Sequence, residues 1–158
     1  RTGIVSDISK IITTGNGNIE ESRMSKLAGD FALIMLITTK LSIKGLKEEL
    51  SQLNNLNIFI RDATAYTSKF KGQTRQLILN GADNEGIVYN VTDHLRKNNI
   101  NILTMDTDTV QAPISGTNLF IMKAIIEIPD TLTMSDLEND LIELGNELDI
   151  DLELKLVI

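Results

Sequence analysis

The sequence predicts an α+β protein made of two copies of one small domain, and an internal repeat is the main evidence. At an offset of 83 residues, residues 3–19 match residues 86–102 at six of 17 positions without a gap. Helical and strand-like hydrophobic patterns then follow in the same order in both halves. A chain of 158 residues has room for two small domains.

Each copy is predicted to contain an amphipathic helix that begins at the tripeptide Gly-Ile-Val. Apolar residues recur there at helical spacing, at Ile4, Val5, Ile8, Ile11 and Ile12 in the first copy and at Ile87, Val88, Val91 and Leu95 in the second. Gly15 or Gly17 is expected to supply the positive φ that ends the first helix. A strand follows each helix and starts at Asn18 and at Asn101.

Two near-continuous apolar strands come next, at residues 31–38 and 119–128, and such runs suit burial in a sheet. Turns are predicted before them at residues 28–30 and 112–117. A second helix follows in each copy, one from near Ser42 and one from Thr133, where Asp136 completes a capping box. The copies are predicted to end in strands at residues 57–65 and 149–158.

The second copy has one more strand, at residues 74–79, before its first helix. The resulting β-α-β-β-α-β order is that of the ferredoxin-like fold, an antiparallel four-stranded sheet with two helices on one face. The first copy lacks this opening strand, so we expect residues before Arg1 that complete it. We therefore predict domains at residues 1–68 and 74–158, joined by a polar linker near residues 66–73.

The composition argues against several classes of protein. No cysteine is present, which excludes a disulfide scaffold, a thiol nucleophile and a thiolate metal site. A net charge of −7 with four phenylalanines and two tyrosines disfavours direct binding of nucleic acid. The longest apolar run is far shorter than the ~20 residues of a membrane span, and no secretory signal is visible. We expect a cytoplasmic protein that binds neither nucleic acid nor membranes directly.

The two halves carry opposite net charge. Residues 1–72 contain 10 basic and 7 acidic side chains, whereas residues 73–158 contain 5 and 15. This asymmetry predicts either an uneven solvated surface or complementary fields between interacting copies. Adjacent acids such as Glu20 and Glu21 point in different directions, so they are interpreted as a solvated face rather than an acid/base pair.

No set of residues predicts catalysis, a metal or a cofactor. The single histidine, His94, has no hydroxyl placed beside it by the sequence, so we interpret it as a solvent-facing or packing residue. Asp106 and Asp108 alternate along a strand and could hold a hard cation with Asp83 or Glu85. The spacing and glycine of a calcium loop are absent, so ordinary surface carboxylates are the favoured interpretation.

The repeated Gly-Ile-Val and the asparagine of the following strand predict a binding site. Glycine lets the backbone approach a ligand closely, and the helix start beside it presents unpaired N–H groups and a partial positive charge. A carboxylate fits there, and Asn18 or Asn101 can offer both a donor and an acceptor. Such a site suits a small zwitterion. A tight turn followed by a turn-forming asparagine is the alternative.

Two ferredoxin-like copies with these features resemble tandem ACT domains, which are small-molecule sensors and usually bind amino acids. More closely, residues 1–5, 17–24, 31–36, 81–88 and 99–102 resemble the glycine cleavage system transcriptional repressor family. The string Asn-Ile-Glu-Glu-Ser-Arg is its most specific part. The family's Asp-Arg-Pro-Gly reads Arg-Thr-Gly and Asn-Glu-Gly here, so its proline is missing from both copies.

The resemblance implies a non-enzymatic regulator without a cofactor that binds a small, glycine-like amino acid. It implies ligand contacts at Gly3, Ile4, Asn18 and Ile19 in the first copy and at Asn84, Gly86, Ile87, Asn101 and Ile102 in the second. It also implies action on another regulatory protein, a transcription factor, rather than on DNA. ACT pockets usually lie where two domains abut, so the resemblance implies that the tandem arrangement can itself be the sensor. We also expect a homo-oligomer.

Other functions remain open from the sequence. A regulatory segment of an amino-acid metabolic enzyme would share the fold and the sites. A small acyl-phosphate hydrolase would use a loop arginine and a strand asparagine, which Arg1 and Asn18 match, but Asn84 stands at the position of Arg1 in the second copy. An RNA-binding module needs exposed aromatic residues on its central strands, and Phe31 and Phe120 are too few.

Overall fold

The computed structural model describes residues 2–63, 70–111 and 118–157, and the chain divides into two compact units. The first unit spans Arg1–Thr67 and the second Ser68–Ile158. Both combine helices with an antiparallel sheet, so the predicted α+β class is confirmed. In the described part of the chain, no helix combines the length and hydrophobicity needed to span a membrane.

The first unit has the order α-β-β-α in its described residues. Its elements are α1 (Ile4–Thr14), β1 (Asn18–Leu27), β2 (Asp30–Thr38) and α2 (Ile43–Leu50). β1 and β2 form a two-stranded antiparallel sheet. The strand predicted at residues 57–65 is wrong over residues 57–63, which are not in a strand, and residues 64 and 65 lie outside the described residues.

The second unit has the predicted order β-α-β-β-α-β. Its elements are β3 (Gly72–Ala82), α3 (Ile87–Lys97), β4 (Asn101–Gln111), β5 (Asn118–Pro129), α4 (Met134–Leu148) and β6 (Ile150–Leu156). The four strands form an antiparallel sheet in the order β4-β5-β3-β6. β3 begins earlier than predicted, so the linker prediction is wrong at residues 72 and 73. The turn predicted at residues 112–117 lies outside the described residues.

The sheet order explains why the last predicted strand of the first unit is absent over residues 57–63. In the second unit the last strand, β6, pairs only with the first strand, β3. The described residues of the first unit contain no counterpart of β3. A segment with strand-like residues but no neighbouring strand has no backbone partners, so it does not form a ladder.

The core of the second unit lies between one face of its sheet and its two helices. Alternate residues of β5, from Met122 to Ile128, are buried on the same face as Leu77 and Leu79 of β3. α3 and α4 cover that face with Ile87, Val91, Leu95, Leu137, Leu141 and Leu144. Among the described residues, fourteen hydrophobic side chains are buried in the second unit and three, Ile12, Leu46 and Leu50, in the first.

α1 and α3 end in the same way, and the end differs from the prediction. The positive φ belongs to Asn16 at 53° and to Asn99 at 55°, not to Gly15 or Gly17. Asparagine tolerates this left-handed conformation better than most residues. The N–H of the next residue then donates to the helix, from Gly17 to Ile12 O and from Ile100 to Leu95 O, both at 2.9 Å. This is the bonding of a Schellman motif.

The two glycines around Asn16 instead allow close packing. A Cβ at Gly15 would lie 2.6 Å from Leu41 Cδ1, and one at Gly17 would collide with the backbone oxygen of Thr38. A side chain at Gly17 would clash with backbone, whereas one at Gly15 would require the Leu41 side chain to move. These glycines therefore let the end of α1 approach β2 and the segment that leads to α2.

Candidate ligand site

α1 and α3 begin at glycines in the left-handed conformation. Gly3 has φ 88° and Gly86 has φ 84°, and no described side chain caps either helix. By contrast, α2 and α4 begin at Ser42 and Thr133, whose hydroxyls accept the N–H of the third helical residue at 3.1 Å. The first-turn N–H groups of α1 and α3 therefore lack the side-chain partner that the other two helices have.

The helix starts at Gly3 and Gly86, called the glycine corners below, are open. A Cβ at Gly3 would meet no atom within 4 Å, and one at Gly86 would meet only Asn90 Nδ2, at 3.8 Å. Asn84 is exposed two residues before Gly86. No described atom therefore obstructs the space into which a Cβ at Gly3 or Gly86 would project, apart from this ordinary contact with Asn90.

The predicted isoleucines support the site by packing. Ile87 is only 4% exposed and belongs to the core of the second unit, and Ile102 packs against that core. Ile4 and Ile19 are half-buried in the first unit. The side chain of Ile87 is therefore occupied in the core, so a ligand contact at this residue would have to use its backbone.

The two predicted asparagines each donate a hydrogen bond to a glutamate. Asn18 Nδ2 donates to Glu20 Oε1 at 3.2 Å, and Thr38 Oγ1 donates to the same oxygen at 3.1 Å. Asn101 Nδ2 donates to Glu127 Oε2 at 2.9 Å. The start of each strand thus carries an asparagine paired with a carboxylate.

The carboxylates reach these positions from different strands. Both units interrupt their strand pairing after the second residue of the strand, between Ile19 and Glu21 and between Ile102 and Thr104. In the first unit the residue at this irregularity is Glu20, on the same strand as Asn18. In the second unit that residue is Leu103, and Glu127 lies opposite Asn101 on β5.

The structure does not bring the glycine corner and the asparagine of one unit together. α1 and α3 each have 11 residues, which corresponds to a length of ~16 Å. Gly3 and Gly86 precede these helices, whereas Asn18 and Asn101 follow their last residues by four positions. Each unit therefore presents the two halves of the predicted site at opposite ends of one helix.

An open depression of about 410 Å³ lies beside Asn101 and is also lined by Thr92, Arg96, Asn99, Ile100 and Ile102. Arg96 donates to Asp93 through Nε and Nη2, at 3.1 and 2.8 Å. Together with Lys97, whose Nζ is 2.9 Å from the same carboxylate, it lowers the pKa of Asp93. Arg96 is thus engaged within α3.

A second open depression, of about 420 Å³, lies in the first unit between α1 and α2. Ile11, Leu41 and Leu53 form part of its lining, and it includes none of the predicted ligand residues. It is therefore separate from both halves of the predicted site.

The other candidate residues do not form a reactive site. The described residues contain no group of three or more histidines and acids that could hold a metal, and this includes Asp83, Glu85, Asp106 and Asp108. His94 is half-buried on α3, with its Nε2 atom 3.2 Å from Asn98 Nδ2. The sequence interpretation placed Glu20 on a solvated face and did not identify Glu127, because strand register is needed to place both residues beside the asparagines.

Comparisons with known proteins give one family match and structural matches over the whole chain. The family model of the ACT domain matches residues 1–57. The crystal structure of an unknown protein from Galdieria sulphuraria has 33% sequence identity and a TM-score of 0.87, and covers 100% of this chain and 92% of that chain. A candidate glycine cleavage system transcriptional repressor has 19% identity and a TM-score of 0.70, over 99% of this chain and 91% of that chain. No curated protein shows significant similarity.

Proposed function

Because the chain belongs to the ACT domain family, we propose that it is a non-enzymatic regulator that binds a small amino acid, glycine or a close relative. Ligand binding changes how ACT copies associate and so changes contact with a partner protein, a transcription factor. A ligand shifts such an equilibrium only through its different affinities for the two arrangements. The structural similarity to the candidate glycine cleavage repressor supports the fold on which this proposal depends.

The open, uncapped glycine corners are the observation that carries the proposal. Of the helices in the described residues, α2 and α4 satisfy a first-turn N–H with a hydroxyl, whereas α1 and α3 start at bare glycines with φ values equal to within a few degrees. A ligand carboxylate accepts hydrogen bonds from such N–H groups and is stabilised by the positive end of the helix.

The asparagine half of the site supports a homo-oligomer. An amino acid of the size of glycine is much shorter than an 11-residue helix, so it does not reach from Gly86 to Asn101 within one unit. In the proposed arrangement, a glycine corner of one chain meets an asparagine of a second chain. The ligand then lies between the chains and strengthens their association.

Charge supports a protein partner over nucleic acid or an acyl phosphate. Residues 73–158 contain 15 acidic and 5 basic side chains, which repel a phosphate backbone. Glu20 and Glu127, bonded to the two asparagines, place negative charge where a hydrolase would hold a phosphate. These carboxylates favour a ligand that carries a positive group.

A melting-temperature screen of the protein against the twenty amino acids tests the proposal. At about 100 times its dissociation constant, a ligand adds ~2.7 kcal/mol, which raises the melting temperature by a few degrees. We expect a rise with glycine or a small relative, and its loss in the double variant Asn18→Ala/Asn101→Ala. No rise with any amino acid up to millimolar concentration contradicts the proposal, and a rise retained in the double variant places the site elsewhere.

A further inference from the structure

We propose that Glu20 and Glu127 bind the ammonium group of the ligand, each together with its neighbouring asparagine. This inference rests on the proposed function and adds the chemical basis for selecting amino acids over other carboxylic acids. The glycine corners recognise only the carboxylate group of a zwitterion. They therefore do not distinguish glycine from an analogue that keeps the carboxylate but lacks the ammonium group.

The first support comes from the comparison of the two units. At the offset of the repeat, Leu103 occupies the position of Glu20, and Thr38 lies opposite Asn18 where Glu127 lies opposite Asn101. Each glutamate therefore has no glutamate at the equivalent position of the other unit. The units share the asparagine–carboxylate pair itself, which each builds from a different strand.

The second support is that neither carboxylate has a basic partner among the described residues. Within the described part of the chain, neither Glu20 nor Glu127 forms an ion pair, although Glu21 is 2.8 Å from Arg23 and Glu153 is 3.1 Å from Lys155. An ion pair with a lysine or arginine would compete with a ligand cation. Glu20 and Glu127 instead accept from neutral donors.

The hydrogen bonds also orient the asparagines so that they can accept from an ammonium group. Each side-chain amide uses Nδ2 to donate to its glutamate, which leaves Oδ1 as an acceptor. A primary ammonium group has three donors and no acceptor, so a carboxylate and an amide oxygen satisfy two of its donors. Hydrogen bonds between charged groups are about twice as strong as neutral ones.

On β5, Glu127 lies between Ile126 and Ile128, which are buried under the helices, so it projects from the other face of the sheet, which α3 and α4 do not cover. The depression beside Asn101 does not include Glu127 in its lining, and the cation that lines it, Arg96, already donates to Asp93. The charge of Glu127 is thus not neutralised by Arg96 in the structure. The second unit therefore presents an acceptor for a cation beside an open surface.

Calorimetric titration with glycine and with N-acetylglycine tests the proposal. The acetyl group removes the ammonium charge but keeps the carboxylate. The double variant Glu20→Gln/Glu127→Gln keeps the side-chain size and an amide oxygen acceptor but removes both charges. Glu138→Gln, at an exposed position of α4, is the matched control. Melting temperatures without ligand establish that each variant is folded.

We expect glycine affinity to fall at least about tenfold in the double variant, as the loss of a charge-assisted hydrogen bond implies, and to stay unchanged in Glu138→Gln. We expect N-acetylglycine to bind the unmodified protein more weakly than glycine by a similar factor. If glycine binds the double variant as tightly as the unmodified protein, or if N-acetylglycine binds as tightly as glycine, this inference is wrong while the proposed function stands. If no amino acid binds the unmodified protein, both fail.

Discussion

The two units share the geometry around their first helix but differ in the sheet on which that helix packs. The glycine φ at the helix start and the asparagine φ at its end agree within a few degrees between the units. Yet fourteen described hydrophobic residues are buried in the second unit and three in the first. The comparison shows that local sequence determines how the helices begin and end. The number of buried hydrophobic side chains depends instead on how many strands pair with β5 in the second unit and with its counterpart, β2, in the first.

The largest expected effect tests the difference in burial. Leu95 and Ile12 are equivalent in the repeat, and both are nearly fully buried. Leu95→Ala should lower the free energy of unfolding by about 2–5 kcal/mol, because it leaves a cavity in a close-packed core. Ile12→Ala should cost less, because fewer buried side chains surround it. Urea unfolding followed by circular dichroism measures both, and equal losses would contradict the comparison.

The glycine corners test the shared geometry. Gly3→Ala and Gly86→Ala should each cost about 1–2 kcal/mol, because alanine is strained in the left-handed conformation. A Cβ has room at both positions, so the cost should be similar in the two units. Thermal unfolding measures it, with Gly86→Asn as the milder variant, because asparagine tolerates this conformation. A much larger cost at one corner would show that the corners differ.

The side-chain caps test whether the second helices of the two units are also equivalent. Ser42→Ala and Thr133→Ala each remove an acceptor for a first-turn N–H, and each should cost ~1 kcal/mol. Thr131→Ala, at an exposed position outside the helix, is the control. The measurement is thermal unfolding of all three variants. A control variant as destabilised as Thr133→Ala would argue against the role of the cap.

The smallest expected effect concerns an ion-pair cluster found in the second unit. Asp93 bonds to Arg96 and Lys97, whereas the equivalent residue in the first unit is Lys10. These cations lower the pKa of Asp93 in the folded protein. Its contribution to stability is therefore fully present above the pKa of an unfolded aspartate and is lost as the pH falls through the lowered folded value.

The corresponding variant is Asp93→Asn, compared with the unmodified protein at about pH 7 and about pH 2. The melting temperature of the variant should be slightly lower at neutral pH, and the difference should narrow in acid. If the melting temperatures of the variant and the unmodified protein differ equally at both pH values, the ionised form of Asp93 is not the cause of the difference.

The sequence predicted the features that depend on near neighbours in the chain. The helix starts at Gly3 and Gly86 and the strands from Asn18 and Asn101 needed only the hydrophobic period and the repeat. The ligand contacts assigned to these residues, like the domain bounds at residues 1–68 and 74–158, stay predictions.

The antiparallel four-stranded sheet of the second unit was predicted, but features that depend on strand register, or on which strands are present as partners, were not. Residues 57–63 have the composition of a strand but no partner strand among the described residues, which their own sequence does not reveal. Glu127 is 26 residues from Asn101 in the sequence, and only the register of β4 and β5 places them opposite each other. Glu20 was interpreted as solvated because the strand irregularity beside it was not foreseen.

Within the described residues, β2 pairs with β1 along one side, whereas β5 has a neighbouring strand on both sides. β2 contains one charged residue, Asp30, and no proline or lysine, and Ile34 and Leu36 are exposed on it. The side of β2 away from β1 is thus the position at which a further strand of the first unit would pair, as β3 pairs with β5 in the second unit.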